Sequence, residues 1–579
     1  MQIKAKDILP ILDWLPKYRK SWLSGDLFAG LTVGIMLIPQ GMAYAMLAGL
    51  EPIHGLYAVT VPLVLYAVFG TSRQLAVGPV AMVSLLTAAG IGALNPSGPE
   101  QYLLYALTLA FLVGLIQFSM GLLRLGFVVN FLSHPVISGF TSAAAIIIGL
   151  SQVKHLLRID LPRSEHAHEV VWAIVQNIGD VHLITFGIGV LGILIIKFGK
   201  KIHRAFPAPL VAVVAGILLV YGFGLADKGV MIVGNVPDGL PGLSLPSFDT
   251  SEWVVLLPVA LTISFVGFAE SYAVAKTVQA KHKNYKLDAD KELIALGMAN
   301  FGAAFFRGYP VTGGFSRTAV NNDAGAKTAM ASVFSAALVV LTLLFFTELF
   351  YNLPNAVLAA VVLTAVAGLV DFKEPIKLWK KDRADFFMLM ATFLVTLTLG
   401  IEPGILTGLV LSLVMVIYRA SNPHMARLGR VPGTKIFRNT ERFDNLQTSD
   451  EMLIVRVDGP IYFANVAYIK GKFDKWIRKQ SGTLKYIILN MESVTNLDST
   501  GAHELYEWIT DWRKSGLDVC LSGTRGPVRD KLRAWGLIDC VGADHMFLDD
   551  EHATAFFENR KADDDSEDLL TYAVQSRGE

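Results

Sequence analysis

Arg317 is the residue of this sequence that most needs a chemical explanation. It lies in the stretch YPVTGGFSRTAVNN, residues 309–322, behind a proline and two glycines and between two apolar runs. An arginine is costly inside a bilayer, and consecutive glycines weaken a helix. Both features indicate a broken segment that holds a ligand, and the positive charge favours an anion.

A second broken segment, RQLAVGPVAMVSLL, covers residues 73–86. Each segment predicts an extended piece, then glycine, then a short helix. A helix that begins inside the bilayer directs unsatisfied N–H groups and the positive end of its dipole to that point. Two such starts would form an anion site, with Gly78 and Gly314 letting the backbone approach the ligand and Ser316 donating a hydroxyl. The alternative is that the glycines only let helices pack closely.

Glu270, in VGFAESYAVAK, is a second costly group inside an apolar run. It could take up a proton, coordinate Na⁺ or balance Arg317, and the alternative is a purely structural ion pair. Gln40 and Tyr44 are four residues apart in IPQGMAYAMLAG, so they share one helix face and could contact an oxyanion. Such side chains also bridge helices where no ligand is present.

The elements that must position these residues are membrane spans. The chain has 579 residues, of which 53% are hydrophobic, and its mean hydropathy is +0.48. Hydropathy predicts about 14 spans. They are placed near residues 27–45, 52–69, 78–93, 103–123, 133–152, 181–197, 207–224, 253–275, 292–306, 315–327, 330–350, 354–370, 384–400 and 403–418.

Charged loops predict the orientation of these spans. Basic clusters follow spans six, eight and twelve, and the loops after odd-numbered spans are acidic or nearly neutral, apart from the loop after span five. The positive-inside rule therefore predicts a multi-pass protein of the plasma or inner membrane with both termini in the cytoplasm. The broken segments are spans three and ten, and a separation of seven predicts two seven-span repeats of inverted orientation.

Five regions follow from the changes in composition along the chain. Residues 1–26 form a cytoplasmic N-terminal segment, and residues 27–419 a transmembrane transport domain. Residues 420–434 read as a linker. Strands such as MLIVRV, YIILNM and DVCLSG alternate with amphipathic helices in 435–560, which predicts a soluble α/β domain. The acidic tail, 561–579, is predicted to be disordered.

Five motifs resemble those of the sulfate permease (SulP) family, also called solute carrier family 26. They are PQGMAYAMLAGLEPIHGLYA, GTSRQLAVGPVA, LDADKELIALGMANFGAAFF, GGFSRTAVN and NLPNAVLAAVVLTAVAGLVD. The resemblance implies a UraA-like seven-plus-seven inverted repeat, in which a core domain moves against a gate domain. It also implies a homodimer and a C-terminal cytoplasmic STAS domain.

The resemblance also implies the residues of the anion site. They are Gln40 and Tyr44 in span one, Gly78 and Val80 in span three, and Gly314, Phe315, Ser316 and Arg317 in span ten. Family members usually have Phe at the position of Tyr44. Glu270 falls at the family's acidic position in span eight. A glutamate there resembles proton-linked members, whereas a sodium-linked bicarbonate member has Asp, so we expect proton coupling with Na⁺ as the alternative.

The sequence NLDSTGAHEL resembles the loop-to-helix signature of bacterial anti-sigma antagonists. In those proteins a hydroxyl just before glycine is phosphorylated, and this position maps to Thr500. Asp498 could cap the helix that follows. The alternatives are regulation through a cytosolic protein or nucleotide and ordinary capping without modification.

These observations predict a secondary active transporter that carries a small inorganic oxyanion, expected to be sulfate with H⁺, within membrane lipid. Na⁺-coupled bicarbonate transport, dicarboxylate transport and chloride exchange are alternatives on the same fold. A scaffold that recruits cytosolic partners through the STAS domain is an alternative of another class. We find no nucleophile–base pair, metal-ligand spacing or phosphate loop, so we expect neither an enzyme nor a cofactor. A net charge of +1 without a basic patch argues against nucleic-acid binding.

Overall fold

The computed structural model describes residues 9–131, 133–161, 167–202, 207–282, 285–480 and 482–559. The chain forms two compact units that divide between Ser412 and Leu413, inside the helix Ile401–Ser421, which is described below with the first unit. The acidic tail predicted over 561–579 lies outside the described residues, as do residues 1–8 of the predicted N-terminal segment.

The first unit is helical, with two short strands. Its helices are α1 (Ile11–Trp14), α2 (Lys20–Leu47), α3 (Pro52–Tyr57), α4 (Val61–Phe69), α5 (Ala81–Gly92), α6 (Pro99–Leu122), α7 (His134–Leu157), α8 (Ala167–Gln176), α9 (Leu183–Ile202), α10 (Ala208–Phe223), α11 (Thr250–Gln279), α12 (Ala289–Phe305), α13 (Phe315–Asp323), α14 (Met330–Phe345), α15 (Asn355–Val366), α16 (Lys373–Lys381), α17 (Arg383–Leu399) and α18 (Ile401–Ser421). The strands are β1 (Val77–Gly78) and β2 (Thr312–Gly313).

Each predicted span overlaps a helix of the structure. Span two is divided into α3 and α4, and Pro62 stands in the first turn of α4, where proline is well tolerated. Spans three and ten are the short helices α5 and α13, each preceded by a strand. Two amphipathic helices, α8 and α16, lie between predicted spans. Within the described residues, six helical segments are long and apolar enough to cross a membrane, and five shorter apolar helices accompany them.

Helix α2 begins at Lys20, inside the predicted N-terminal segment 1–26. Asp26 is fully buried inside this helix. Its carboxylate accepts hydrogen bonds from the backbone N–H groups of Lys327 and Thr328, at 2.6 and 2.9 Å. A hydropathy profile scores Asp26 as a polar break, whereas its hydrogen bonds make it part of a buried helix contact.

The helices of the first unit pack in two groups. One contains α2 to α6 and α11 to α14, in which α6 packs on α12 and α2 on α14. The other contains α7, α9, α10, α15 and α17, in which α7 packs on α17 and α9 on α15. Each group therefore combines helices from both halves of the chain, as a core and a gate domain of an inverted repeat require. The fold class predicted from the sequence is confirmed.

The second unit contains a six-stranded sheet covered by helices on both faces. Its strands are β3 (His424–Arg430), β4 (Phe437–Asn439), β5 (Met452–Asp458), β6 (Tyr486–Asn490), β7 (Asp518–Ser522) and β8 (Met546–Phe547), in the order β4-β3-β5-β6-β7-β8. Strands β5 to β8 are parallel, and β3 is antiparallel to both neighbours. Its helices are α19 (Val466–Lys479), α20 (Ser499–Lys514), α21 (Gly526–Ala534), α22 (Leu537–Val541) and α23 (Asp550–Asn559).

The linker predicted over 420–434 is wrong for residues 424–430, which form β3 inside the sheet. Met425, Ala426 and Leu428 are buried on this strand. Pro423 and Pro432 flank the strand and do not interrupt it. Proline is compatible with a strand end, because the sheet needs no N–H donor there.

Candidate functional site

The two broken segments meet as a pair of antiparallel strands. Val77 in β1 lies opposite Gly313 in β2, and Gly78 opposite Thr312. The N–H of Gly314 donates to the carbonyl oxygen of Ala76 at 3.0 Å, which extends the pairing. Helices α5 and α13 both start within a few residues of this pair, and neither start is capped by a side chain. Two sets of first-turn N–H groups are thus available for an anion.

Side chains of α11 and α13 hold the strand pair in place. The Ser271 hydroxyl accepts from the N–H of Gly313 at 2.7 Å and lies 2.7 Å from the Thr312 hydroxyl. On the other strand, the Ala76 N–H donates to the Thr318 hydroxyl at 3.0 Å. The Asn321 amide donates to the Gln74 carbonyl at 2.9 Å. The sequence alone does not reveal these supporting residues, because such contacts join distant parts of the chain.

Arg317 is buried between the two broken segments, with 3% of its surface exposed. Its Nη1 donates to the carbonyl oxygen of Pro79 at 2.7 Å. Its Nε and Nη2 are buried and have no hydrogen-bond partner. A buried donor left without a partner costs free energy, so these two nitrogens are the strongest indication of a place for an anion.

Gly78 and Gly314 make room for the side chain of Arg317. A Cβ added at Gly314 would lie 2.7 Å from Nη2 of Arg317, and one added at Gly78 would lie 3.4 Å from it. Gly78 also has a φ of +151°, a conformation that side chains rarely adopt. From the sequence, these glycines are expected to let the backbone approach a ligand. They also admit the guanidinium, which packs directly against their backbone.

Tyr44, Val80 and Glu270 lie near this guanidinium or near the helix starts. Tyr44 and Glu270 interact electrostatically with Arg317, but the charged atoms of Glu270 and Arg317 are not within 4.0 Å of each other. Gln40 is buried, and its side-chain carbonyl oxygen has no hydrogen-bond partner. Tyr44 and Val80 are buried as well. The structure therefore does not pair Glu270 directly with Arg317.

Phe315 and Ser316, the other two predicted residues, are exposed in the first turn of α13. Tyr309 is a residue that the sequence analysis did not consider, although it lies in the stretch quoted for Arg317. It is fully buried, its hydroxyl lies 3.2 Å from that of Ser84 on α5, and it interacts electrostatically with Arg317. An aromatic hydroxyl beside a glycine-rich break was the signal that could have found it.

In the second unit, Asp498 is the N-cap of α20. Its carboxylate accepts from the N–H of Gly501 at 2.7 Å and from that of Phe463 at 3.0 Å. Thr500 is exposed in the first turn of this helix. The geometry leaves the Thr500 hydroxyl accessible, and its modification remains a prediction. Among the described residues, no group of three or more His, Cys, Asp or Glu side chains is placed to hold a metal ion.

The fold and the site define a class of protein: a multi-pass membrane transporter for an anion, with a soluble α/β domain at its C-terminal end. Residues 23–392 match the profile of the sulfate permease family, and residues 445–553 match that of the STAS domain. The chain belongs to the sulfate permease family.

Curated relatives agree with this assignment. "Sulfate transporter 4.1, chloroplastic" of Arabidopsis thaliana is 40% identical over 560 residues, which cover 93% of this chain and 81% of the relative. "High affinity sulfate transporter 2" of Stylosanthes hamata is 34% identical over 576 residues, covering 96% and 87%.

Solved structures show the same fold. The structure of SLC26A9 matches with a TM-score of 0.88 at 26% identity, covering 96% of this chain and 93% of that one. The transmembrane domain of the cyanobacterial bicarbonate transporter BicA matches with a TM-score of 0.60 at 24% identity, covering 68% and 98%. The latter similarity concerns the fold alone.

Proposed function

We propose that this protein imports sulfate together with protons. The observation that carries the proposal is the buried guanidinium of Arg317, which has two unpartnered N–H-bearing nitrogens beside two uncapped helix starts. A tetrahedral dianion offers several acceptor oxygens to such a set of donors. The plant relatives named as sulfate transporters support this choice of anion.

In the proposed site, sulfate lies between the starts of α5 and α13 and accepts from Arg317. Tyr44 and Gln40 line the site from α2, with Gly78, Val80 and Gly314 at the backbone. Phe315 and Ser316 would complete it from the first turn of α13, where both are exposed. Exposed residues at the site are compatible with a ligand that enters from water.

Glu270 is the proposed proton carrier. An ionised Glu270 near Arg317 weakens the attraction of Arg317 for a dianion, because the electrostatic fields of two nearby opposite charges largely cancel each other. Protonation of Glu270 removes that offset and leaves Arg317 free to bind sulfate. Loading of the anion and uptake of the proton would therefore favour each other, as coupled transport requires.

The site would change sides by movement of the helix group α2–α6 and α11–α14 against the other group. Both broken segments belong to the first group and are hydrogen-bonded to each other, so they would travel as one body. Basic loops favour a cytoplasmic position of both termini in the plasma or inner membrane, and we propose a homodimer as the working assembly.

The test is uptake of radiolabelled sulfate by proteoliposomes that hold the purified protein. Uptake is measured with an inward proton gradient, an inward Na⁺ gradient or neither. We expect uptake to rise with the proton gradient alone, and Glu270→Gln to abolish this response. Glu348→Gln, which alters an exposed carboxylate of the same unit, is the matched control and should behave as the unaltered protein.

Two results would contradict the proposal at different points. Stimulation by Na⁺ instead of protons would overturn the coupling ion and retain the anion. Absence of sulfate uptake under every gradient would overturn the anion, and the same vesicles would then be tested with bicarbonate, dicarboxylates and chloride.

A further inference from the structure

Helix α16 has a continuous exposed apolar stripe. Phe372, just before the helix, Ile376 and Trp379 are 75%, 60% and 49% exposed. They are spaced four and three residues apart, so they lie on one face. Leu378 is buried on the other side of the helix, where α16 packs against the protein. A helix on the surface of a soluble protein packs its apolar side chains against the protein core, whereas three of the apolar side chains here are exposed.

A basic stripe lies beside the apolar one. Lys373, Lys377 and Lys380 have the same spacing, shifted by one residue, and all three are exposed. Lys377 contacts Glu374 at 3.0 Å. Residues 371–383 contain five basic and three acidic side chains, so the segment carries a net charge of +2. Arg383 follows directly, and its guanidinium carbon lies 5.5 Å from the centre of the Trp379 ring. The helix thus combines exposed aromatic and basic residues on adjacent faces.

The apolar stripe continues onto the surface of α17. Trp379 contacts Phe386 and Phe387 of α17, with ring centres 4.9 and 6.3 Å apart. Phe387 and Leu394 are exposed along α17. Because α17 is the helix of the predicted span 384–400, we expect its exposed apolar side chains to face lipid acyl chains. The stripe on α16 therefore begins where the lipid-facing surface ends.

We propose that α16 is an interfacial helix that binds the anionic phospholipid surface of the membrane. Phe372, Ile376 and Trp379 enter the boundary between headgroups and acyl chains, and the lysines contact lipid phosphates. Helices with aromatic residues on one face and lysines on the other lie in the plane of the interface. Both ends of α16 are held close to the membrane, since α15 ends at Val366 and α17 begins at Arg383.

This attachment has a consequence for transport. Helices α15 and α17 belong to the helix group that does not contain the broken segments. A lipid-bound α16 holds this group against one leaflet, which gives the other group a fixed partner to move against. The rate of transport should therefore depend on anionic lipid.

The first experiment locates α16 directly and does not depend on the transported anion. The full chain carries Cys520→Ala and Cys540→Ser, and Ile376→Cys is labelled with a nitroxide. Accessibility to oxygen and to a water-soluble nickel complex is measured in phosphatidylcholine vesicles with and without phosphatidylglycerol. The control label is Lys475→Cys, exposed on α19.

We expect the label at position 376 to be protected from nickel and accessible to oxygen only when phosphatidylglycerol is present. The label at 475 should stay accessible to nickel in both vesicles. Nickel accessibility of position 376 in both vesicles would overturn the proposal. Protection from both reagents in both vesicles would overturn it too, because protein would then cover the stripe.

The second experiment tests the charges. Lys373→Gln, Lys377→Gln and Lys380→Gln are combined in one variant, and Lys475→Gln, Lys479→Gln and Lys514→Gln form a control of equal charge on the second unit. One basic residue at an anionic surface strengthens binding by about fivefold. We expect the first variant to lose the nickel protection at position 376 and the stimulation of transport by phosphatidylglycerol. The control variant should retain the nickel protection at position 376 and the stimulation of transport by phosphatidylglycerol. Equal behaviour of the two variants would overturn the role of the lysines.

Discussion

The Nη1 of Arg317 donates to the carbonyl oxygen of Pro79 at 2.7 Å. A side chain from the second half of the chain is thus hydrogen-bonded to the backbone that directly precedes helix α5 in the first half. The remaining N–H groups of the guanidinium point to no protein acceptor. The hydrogen bond to Pro79 fixes the orientation of the guanidinium, and the Nε and Nη2 donors remain available for an anion. An arginine can do both at once, because its donors are arranged on a rigid plane.

Gly314→Ala should impair transport without preventing folding. The added Cβ would lie 2.7 Å from Nη2 of Arg317 and would displace the guanidinium from the carbonyl of Pro79. We expect a loss of at least about tenfold in sulfate kcat/KM, which corresponds to about 1.4 kcal/mol. Gly92→Ala is the control, since nothing lies within 4 Å of its added Cβ. Equal uptake rates of the two variants would contradict this account of Gly314.

Glu292→Gln should lower the stability of the first unit. The buried Oε1 of Glu292 accepts from the N–H groups of Thr71 and Ser72, at 2.7 and 2.9 Å, and its Oε2 accepts from the Tyr66 hydroxyl at 2.6 Å. An amide would turn a donor toward one of these donors, at a cost of about 1–3 kcal/mol. The measurement is thermal inactivation in detergent, with Glu348→Gln as the control. An unchanged inactivation temperature would rule out this role.

The position of β3 predicts where the second unit can be removed. A chain that ends at Ser421 lacks the whole sheet, whereas one that ends at Val431 retains β3 without β5. Met425, Ala426 and Leu428 would then be exposed on an unpaired strand, which favours aggregation. Size-exclusion chromatography in detergent should show a single species for the shorter chain and aggregates for the longer one. Two single species would show that β3 tolerates the loss of its partners.

The second unit should be more stable at mildly acidic pH because of His545. Burial lowers the pKa of His545, but hydrogen bonds to Asp518 and Asp544 outweigh burial, so its pKa is raised. The raised pKa means that the folded state binds the proton more tightly than the unfolded state does. The stabilisation is therefore fully present below the ordinary histidine pKa of about 6.5, and it is lost as pH rises through the folded value.

The measurement for His545 is the thermal unfolding of the STAS domain within the full chain, compared at pH 6 and pH 8. His545→Gln should remove the part of the pH dependence that this residue supplies. His503, which is exposed on α20, provides the control substitution His503→Gln. An unaltered pH dependence in His545→Gln would refute the assignment.

Much of the fold could be predicted from local signals. Apolar runs marked the spans, and the glycines before Arg317 marked the break in span ten. The helical structure before residue 27 and the strand β3 were not predicted, for the same reason. Asp26 and the residues from His424 to Arg430 are placed by partners far away in the chain, and hydropathy and proline positions do not record such partners.

The sequence points to the charged residues of the candidate site, but not to the residues that support it. Arg317 and Glu270 are conspicuous in an apolar sequence, because charge is costly there. Ser271, Thr318 and Tyr309 are ordinary residues in their own segments, and only the folded chain shows that they hold the strands or adjoin the guanidinium. The sequence pattern identifies the glycines, but only the folded chain shows that they adjoin the guanidinium of Arg317.

The bond between Arg317 and Pro79 joins residues that are 238 positions apart in the chain. Helix α5, with 12 residues, is too short to cross a bilayer unaided, and β1 finds its partner strand only in the second half. At a synthesis rate of about 5–20 residues per second, roughly 10–50 s pass between the synthesis of α5 and the synthesis of β2. During biosynthesis the first half of the protein is therefore an incomplete membrane structure, and the site is finished only after the last strand of the pair has been inserted.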